Sequence, residues 1–450
     1  MNRLHHLAAA FLAVLTYGVA STDAEAAPLR ARHVEVGGSH ACAILRDRRL
    51  KCWGHNQYGQ LGLGDRNDRG DATREMGDAL PFVDLGEFEV AAIALGASHT
   101  CALSMVGQVK CWGKNTYGQL GYGDNANRGD GGFPMGTTLP ALSLSNSPQV
   151  IAVSITAGAQ HTCVILSDGT TRCWGRNNQG QLGLGNTDDY ADESDERLTS
   201  IALDLGTGRT ATQIVAGSYH TCALLDDRTV KCWGDNTWGQ LGLGDQVRRG
   251  DDRYEMGDYL PAIDFGPYGA PPLRIDAGHM HTCARMDDGE LDCWGENSIG
   301  SLGVGHEYDV GDGPWDMGYF LQPVELPASM PYSTSVAAGG QFTCATGGWQ
   351  VTCWGVATNG QTGHGSQNVV GNEPDEMGGA LPLIDLGIQT VVQISAGTAT
   401  ACARSSHERV KCWGANSTGQ LGQGDTLDRG NLPDQMGAAL RYIDLGTESR

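Results

Sequence analysis

The chain has 450 residues, 52 of them acidic against 30 Lys and Arg, and a formal charge of -22. That balance excludes nucleic acid and anionic membrane surfaces as natural partners and favours a basic partner or plain solubility. The length supports a large core, so the 14 cysteines are not needed to compensate for small size.

Residues 1–26 read as a signal peptide. Arg3 precedes the apolar run Leu7 to Val19, and Ala24-Glu25-Ala26 has the small-residue form of a cleavage site. The run is too short to span a bilayer comfortably, and no later stretch approaches the roughly 20 apolar residues a span needs. The expectation is an exported protein, periplasmic or extracellular, with no membrane span.

The cysteines then fall into seven pairs: Cys42/Cys52, Cys101/Cys111, Cys163/Cys173, Cys222/Cys232, Cys283/Cys293, Cys344/Cys353 and Cys402/Cys412. First cysteines recur every 58 to 62 residues, which is the signature of a repeat architecture. Within one unit, Ser200–Leu205, Thr212–Ala216, His220–Leu225 and Thr229–Trp233 read as short strands separated by glycines and the turn Asp226-Asp227-Arg228. Four strands in each of seven units predict an all-β, closed seven-bladed β-propeller over residues 27–450. The first unit lacks the opening stretch seen at Ile384-Asp385-Leu386-Gly387, while Tyr442-Ile443-Asp444-Leu445-Gly446 stands at the far end. If that C-terminal segment joins the first blade, the ring closes and no sheet edge is left open.

Each cysteine pair flanks a hairpin turn, where cross-strand side chains come within bonding reach. An even count in an exported chain suits seven hairpin disulfides. Each closes a loop of about ten residues, worth roughly 3 kcal/mol on a chain-entropy account. Zinc is the weaker alternative, since no Cys-x-x-Cys occurs and each unit offers two thiols.

The motif Cys-Trp-Gly, then Asn, then Gly-Gln-Leu-Gly-x-Gly-Asp/Asn recurs at Cys52–Asp65, Cys111–Asp124, Cys173–Asn186, Cys232–Asp245 and Cys412–Asp425. It resembles the regulator of chromosome condensation repeat family, over nearly the whole mature chain. The resemblance implies a seven-bladed propeller, and the paired cysteines point to a secreted bacterial type. The sixth unit departs most, with Phe342 where others have histidine and Gly360-Gln361-Thr362-Gly363-His364 in place of the usual turn. Its cysteines, Cys344 and Cys353, are nine apart rather than ten, and less regular loops are expected there.

Several motifs mimic chemistry. Gly-Gln-Leu-Gly-Leu-Gly lacks the single strand–loop–helix setting of a phosphate cradle, and its glycines suit tight turns. His40, His99, His161, His220 and His281 are equivalent, which favours one repeated structural hydrogen bond over a metal ring or pH sensor. The repeated tryptophans, Trp53 to Trp413, read as core. Loops such as Asp65–Gly77 and Asp245–Gly257 space their carboxylates by three, yet lack the alternation of a calcium loop, so Asp–Arg pairing is the better reading. A photoreceptor branch of the family carries Gly-Trp-Arg-His-Thr; the nearest stretch here is Gly217-Ser218-Tyr219-His220-Thr221.

Features present in one unit alone are the better functional candidates. They are Tyr308, Trp315, Tyr319 and Phe320 in the fifth-unit loop, Trp349 in a hairpin turn, Trp238 where other units have tyrosine, and Asp192, Glu193 and Asp195 in the acidic third-unit loop. Aromatic anchors and acidic loops suit binding to another protein. No nucleophile–base pair, metal triad or cofactor motif is evident. The sequence therefore predicts a monomeric, non-enzymatic protein-binding scaffold acting as inhibitor or adaptor. Two alternatives stay open: guanine-nucleotide exchange on a small GTPase, which the family resemblance implies, and carbohydrate or cell-surface binding.

Overall fold

Six-residue runs rich in Ala, Val, Ile, Thr and Cys alternate with Gly and Asp turns, and each triplet of runs becomes one antiparallel sheet. In the computed structural model, residues 27–448 are described apart from Tyr268, Pro331 and Gln389. The predicted signal peptide lies outside the described residues. The inner strands are Ala31–Val36, Val90–Leu95, Ala152–Ala157, Ala211–Ala216, Pro272–Ala277, Ser335–Ala338 and Val391–Ala396. The middle strands are His40–Leu45, His99–Ser104, His161–Leu166, His220–Leu225, His281–Met286, Phe342–Gly347 and Thr400–Ser405. The outer strands are Leu50–Gly54, Val109–Gly113, Thr171–Gly175, Val230–Gly234, Leu291–Gly295, Gln350–Gly355 and Val410–Gly414. They form seven three-stranded sheets.

Middle strands such as His220–Leu225 are buried at every position, which is why they read as unbroken apolar runs rather than alternating ones. Neighbouring sheets cover both of their faces. Directly opposite partners in the ladder include Cys222 and Cys232, whose Cα atoms are 4.1 Å apart. All seven predicted pairs are disulfides, and no free cysteine is found among the described residues.

The sixth bridge, Cys344–Cys353, corrects the expectation of a less regular connection. Cys353 lies directly opposite Cys344, with 4.0 Å between their Cα atoms, although only nine positions separate them. The missing residue comes out of the turn and not out of the ladder. Pairing runs on to Gly347 with Gln350, and Gly348 and Trp349 alone make the connection. Both take positive φ, 56° and 70°, as a tight two-residue hairpin turn demands. The outer strand therefore begins one residue further from Cys353 than its siblings do from their cysteines, at Gln350.

The expected fourth strand is instead an extended segment without a ladder. Leu203 in the predicted strand Ser200–Leu205 makes one main-chain bond, from its N–H to Thr171 O at 2.9 Å. Equivalent single bonds join Val83 to Leu50 and Ile384 to Val351. These segments therefore follow the outer strand of their own sheet rather than opening the next. Their remaining polar groups are used elsewhere: Asp84 O accepts from Gly136 N in the next unit, and Asp84 Oδ1 accepts from Gly86 N. Prolines such as Pro81 and Pro382 contribute no donor. The C-terminal segment behaves alike. Ile443 N–H donates to Val410 O of the seventh sheet, while Asp444 O accepts from Gly77 N and Gly446 O from Leu29 N of the first unit. It was expected to add a strand to the first sheet; no ladder with that sheet forms, but Thr447 makes an isolated antiparallel bridge with Pro28 of the first unit, flanked by the bonds Leu29 N–H to Gly446 O and Glu448 N–H to Ala27 O.

The inner strands each run into a glycine turn around an axial cavity of about 90 Å³, lined by residues of all seven sheets. A head-to-tail circuit of main-chain bonds surrounds it. Gly38 N–H donates to Gly96 O, Ala97 to Ala159, Ala159 to Gly217, Ser218 to His279, His279 to Gly339, Gly340 to Gly397, and Thr398 back to Gly37 O at 3.3 Å. Glycine is required there: a Cβ on Gly217 would stand 2.2 Å from His220 Cε1 and 2.6 Å from Gly278 O. Among the described residues no helix is long and apolar enough to cross a membrane.

Candidate protein-binding surface

The repeated polar residues join one unit to the next. Each buried histidine presents Nε2 to a threonine of the following unit: His40 to Thr100, His99 to Thr162, His161 to Thr221, His220 to Thr282 and His281 to Thr343, at 2.8–3.0 Å. Burial holds His40, His161 and His281 down at about 3, and His99 and His220 at about 4. Neutral, spaced a unit apart and bonded to hydroxyls, they are structural connectors. Every repeated tryptophan is fully buried and donates its indole N–H to the preceding unit, as Trp174 does to Gln119 O at 3.0 Å. Phe342 takes the place of the sixth histidine and fills the same buried space without a hydrogen bond.

The long loops leave the end of each outer strand that faces the axial cavity, and they pack against the preceding unit. In four of them an arginine closes on an aspartate four residues earlier: Arg69 on Asp65, Arg128 on Asp124, Arg249 on Asp245 and Arg429 on Asp425, at 2.6–2.7 Å. This is the predicted Asp–Arg pairing. Among the described residues, no group of three or more His, Cys, Asp or Glu is placed to hold a metal ion.

The third, fifth and sixth loops lack this pair, with Tyr190, Val310 and Val370 at the arginine position. In the fifth, His306 stands where the aspartates do, and Gly295 pairs with Val310 just as Gly54 pairs with Arg69. Val310 for arginine, with Val304 where most siblings carry leucine or tyrosine, leaves a cavity of about 180 Å³, lined by Val304, His306, Val310, Trp315 and Phe320 among others. At its mouth the predicted aromatics gather. Tyr308, Trp315 and Tyr319 are 79%, 72% and 76% exposed. Trp315 meets Phe320 edge-on at 5.8 Å between ring centroids, and Tyr319 meets Phe320 likewise at 5.7 Å. Asp309 and Asp316 line the cavity too. Burial foremost raises both carboxyls, with Glu296 and Asp312 repelling Asp309, and Asp312 acting on Asp316.

The other candidates lie apart from this cluster. Trp349 is exposed in the sixth hairpin turn, between Cys344 and Cys353, at the opposite end of its sheet from the loops. Trp238, 38% exposed, sits in the fourth unit's Gly-Gln-Leu-Gly turn, where its N–H donates to Gln240 Oε1. Glu193 and Asp195 are exposed, and Asp192 is half-buried. Their loop packs on Gly118 and Gly123 of the second unit, two seams from the aromatic cluster. The structure thus unites four of the nine predicted residues and separates the rest.

Sequence reasoning missed several groups. Tyr254 and Tyr259, both exposed, form an edge-on pair at 5.6 Å in the fourth loop, at the positions of Trp315 and Phe320. Asp276 is driven up to about 7, chiefly by burial. Asp292 also reaches about 7 by burial, with Glu290 and Asp288 adding repulsion. It occupies the position of Lys51, Lys110, Lys231 and Lys411, whose ammonium groups bond loop carbonyls. Aligning the units position by position carries the signal for Val310, His306 and Asp292.

Comparisons with known proteins agree with this architecture. The RCC1-like domain matches residues 18–381, and the regulator of chromosome condensation (RCC1) repeat matches residues 391–420. The ultraviolet-B receptor UVR8 of Arabidopsis thaliana is 29% identical over 348 residues, covering 77% of this chain and 69% of that protein. The human E3 ubiquitin-protein ligase HERC2 is 28% identical over 275 residues, covering 60% of this chain but only 5% of the ligase. Among solved structures, Prp20p of Saccharomyces cerevisiae superposes with a TM-score of 0.64 at 20% identity, over 92% of this chain and 87% of its own. Human WBSCR16 gives 0.63 at 19% identity, over 85% and 92%. The seven repeated sheets and the matched residues together establish that this chain belongs to the RCC1-like domain family.

Proposed function

We infer that the chain is an exported, monomeric, non-enzymatic scaffold of the secreted bacterial kind, which binds another protein through its loops and acts as inhibitor or adaptor. In this reading residues 1–26 are removed as a signal peptide and the protein works in the periplasm or outside the cell. Fourteen paired cysteines support an oxidising compartment. The blades are four-membered when the extended outer segments are counted, and the C-terminal segment seals the ring at its first-to-seventh seam. A ring with repeated seam bonds is a rigid base for loops, which lowers the ordering cost of binding.

The observation that carries this reading is the exposed Tyr308–Trp315–Tyr319–Phe320 cluster, present in one unit of seven. Large exposed aromatics beside a cavity are the usual anchors of a protein interface. Relatives supply a parallel: the Prp20p structure was described with its binding to Gsp1p and histones. At 20% identity that likeness is of fold, so nucleotide exchange on a GTPase is not the favoured extension.

The test is affinity capture with the purified chain against cell-envelope and secreted fractions, and against cytosol as control, with mass spectrometry of what is retained. One stoichiometric envelope or secreted protein, released by Trp315→Ala, is expected. Retention of a cytosolic GTPase with the thiols unpaired would reverse the reading in favour of exchange.

A further inference from the structure

The second unit shows what the fifth-unit cavity is shaped to hold. There, Arg128 donates to both carboxylate oxygens of Asp124, at 2.7 and 3.0 Å. Its guanidinium carbon lies 4.2 Å from the Tyr122 ring centroid and 5.1 Å from that of Phe133. An arginine is thus clasped between apolar walls and tied to a carboxylate. In the fifth unit the corresponding residues are Val310 for Arg128, His306 for Asp124, Val304 for Tyr122 and Trp315 for Phe133. All four line the cavity. The chain keeps the clasp's aromatic wall, enlarged from phenylalanine to tryptophan, and lacks the arginine.

Three further facts bear on what would enter. The space, about 180 Å³, exceeds the roughly 150 Å³ that admits a benzene-sized group. Carboxylates are retained at its lining in Asp309 and Asp316, each with one oxygen already accepting a main-chain N–H, from Asn297 and Gly313. Burial foremost also raises both carboxyls. The chain as a whole carries -22 and attracts basic surfaces.

We propose that this cavity receives an arginine side chain from a protein partner, stacking it on Trp315 and pairing it with Asp309 and Asp316. Arginine rather than lysine is specified. A planar guanidinium stacks on an indole while donating to two carboxylates at once, whereas a lysine ammonium is a compact, strongly hydrated charge. The inference rests on the protein-binding reading and names the anchor within it.

The decisive variant refills the cavity from inside. His306→Asp with Val310→Arg rebuilds the pair that four sibling loops already carry, so it keeps the fold. Calorimetric titration at about 150 mM salt compares hexa-arginine with hexa-lysine, which have equal charge. Hexa-arginine is expected to bind at least tenfold more tightly, and the refilled variant and Trp315→Ala are each expected to abolish that preference. Equal affinity for the two peptides, or an arginine preference undiminished in the refilled variant, overturns the proposal. The peptides need no natural partner, so this outcome is independent of the capture experiment: a partner retained equally by wild type and refilled variant would leave the platform reading standing and remove its arginine anchor.

Discussion

His161 Nε2 lies 2.9 Å from Thr221 Oγ1, and the direction of that bond is fixed by a third group. The Thr221 hydroxyl donates its only hydrogen to Gln181 O at 2.8 Å. It can therefore only accept from His161, which must carry its proton on Nε2. Nδ1 is buried with no partner, so a second proton there would be both desolvated and unbonded.

Acid should therefore loosen the molecule. Five seam histidines with pKa values held near 3 to 4 remain neutral when folded but charge near 6.5 once unfolded. Their contribution to stability is present above about pH 6.5 and is lost as pH falls towards 4. Asp276 and Asp292, raised to about 7, and Asp309 and Asp316, also raised, act in the opposite sense, while carboxyls held low, such as Asp124 and Asp130, act with the histidines. Thermal unfolding midpoints are expected to drop steadily between pH 7 and 4.5. A flat profile over that range would contradict the neutral-imidazole assignment.

Asp292 gives a separate signature. A carboxyl raised to about 7 favours the fold below its unfolded value and loses that contribution as pH climbs through 7. Asp292→Asn is expected to stabilise the protein at pH 8, with the gain shrinking towards nothing near pH 4. Equilibrium denaturation at the two pH values reads this directly. An equal effect at both would mean that the charge of Asp292 is not what matters.

Removing one disulfide, with Cys163→Ala and Cys173→Ala together, is expected to cost about 2–4 kcal/mol in denaturant unfolding. The sheet should survive, since these cysteines also sit in a continuous strand ladder. A loss below about 0.5 kcal/mol would show that the ladder alone holds the hairpin.

The acidic third-unit loop and the fifth-unit aromatics should separate kinetically. Asp192→Asn, Glu193→Gln and Asp195→Asn together are expected to slow association with a basic partner by several-fold at low salt and to have little effect in high salt. Trp315→Ala should instead speed dissociation. Surface plasmon resonance across a salt series distinguishes the two, and a salt-independent effect of the loop would remove its steering role.

Much of this was legible because repetition writes the same sentence seven times. The cysteine spacing gave the hairpins and their bonds, and the equivalent histidines and tryptophans read correctly as framework. The shortened spacing from Cys344 to Cys353 misled in one respect, because a lost residue can tighten a turn as readily as disturb it. Leu203 shows where reading fails more deeply. An apolar alternation predicts a strand, but whether a ladder forms depends on where neighbouring carbonyls go, and Asp84 O shows such groups directed to the next unit. The cavity beneath Trp315 was equally hidden. It arises from two side chains, Val310 and Val304, being smaller than the arginine and the leucine or tyrosine that most siblings carry at their positions, and a lack of volume leaves no motif. The aromatics above it were visible because Tyr308, Trp315, Tyr319 and Phe320 crowd one loop whose siblings carry two aromatics or fewer.

The indole of Trp174 belongs to one repeat and its acceptor, Gln119 O, to the one before. The same division holds at every seam from Trp53 with Gln420 to Trp413 with Gln361. No repeat owns all the parts it needs. Adding or removing one would re-angle every remaining joint at once, so the copy number is set by the joints themselves. Loops hang from these joints without forming them, and there a valine can replace an arginine at the cost of a single local clasp. The number of repeats is thus fixed by the geometry of the joints, while the outer surfaces carry no such constraint.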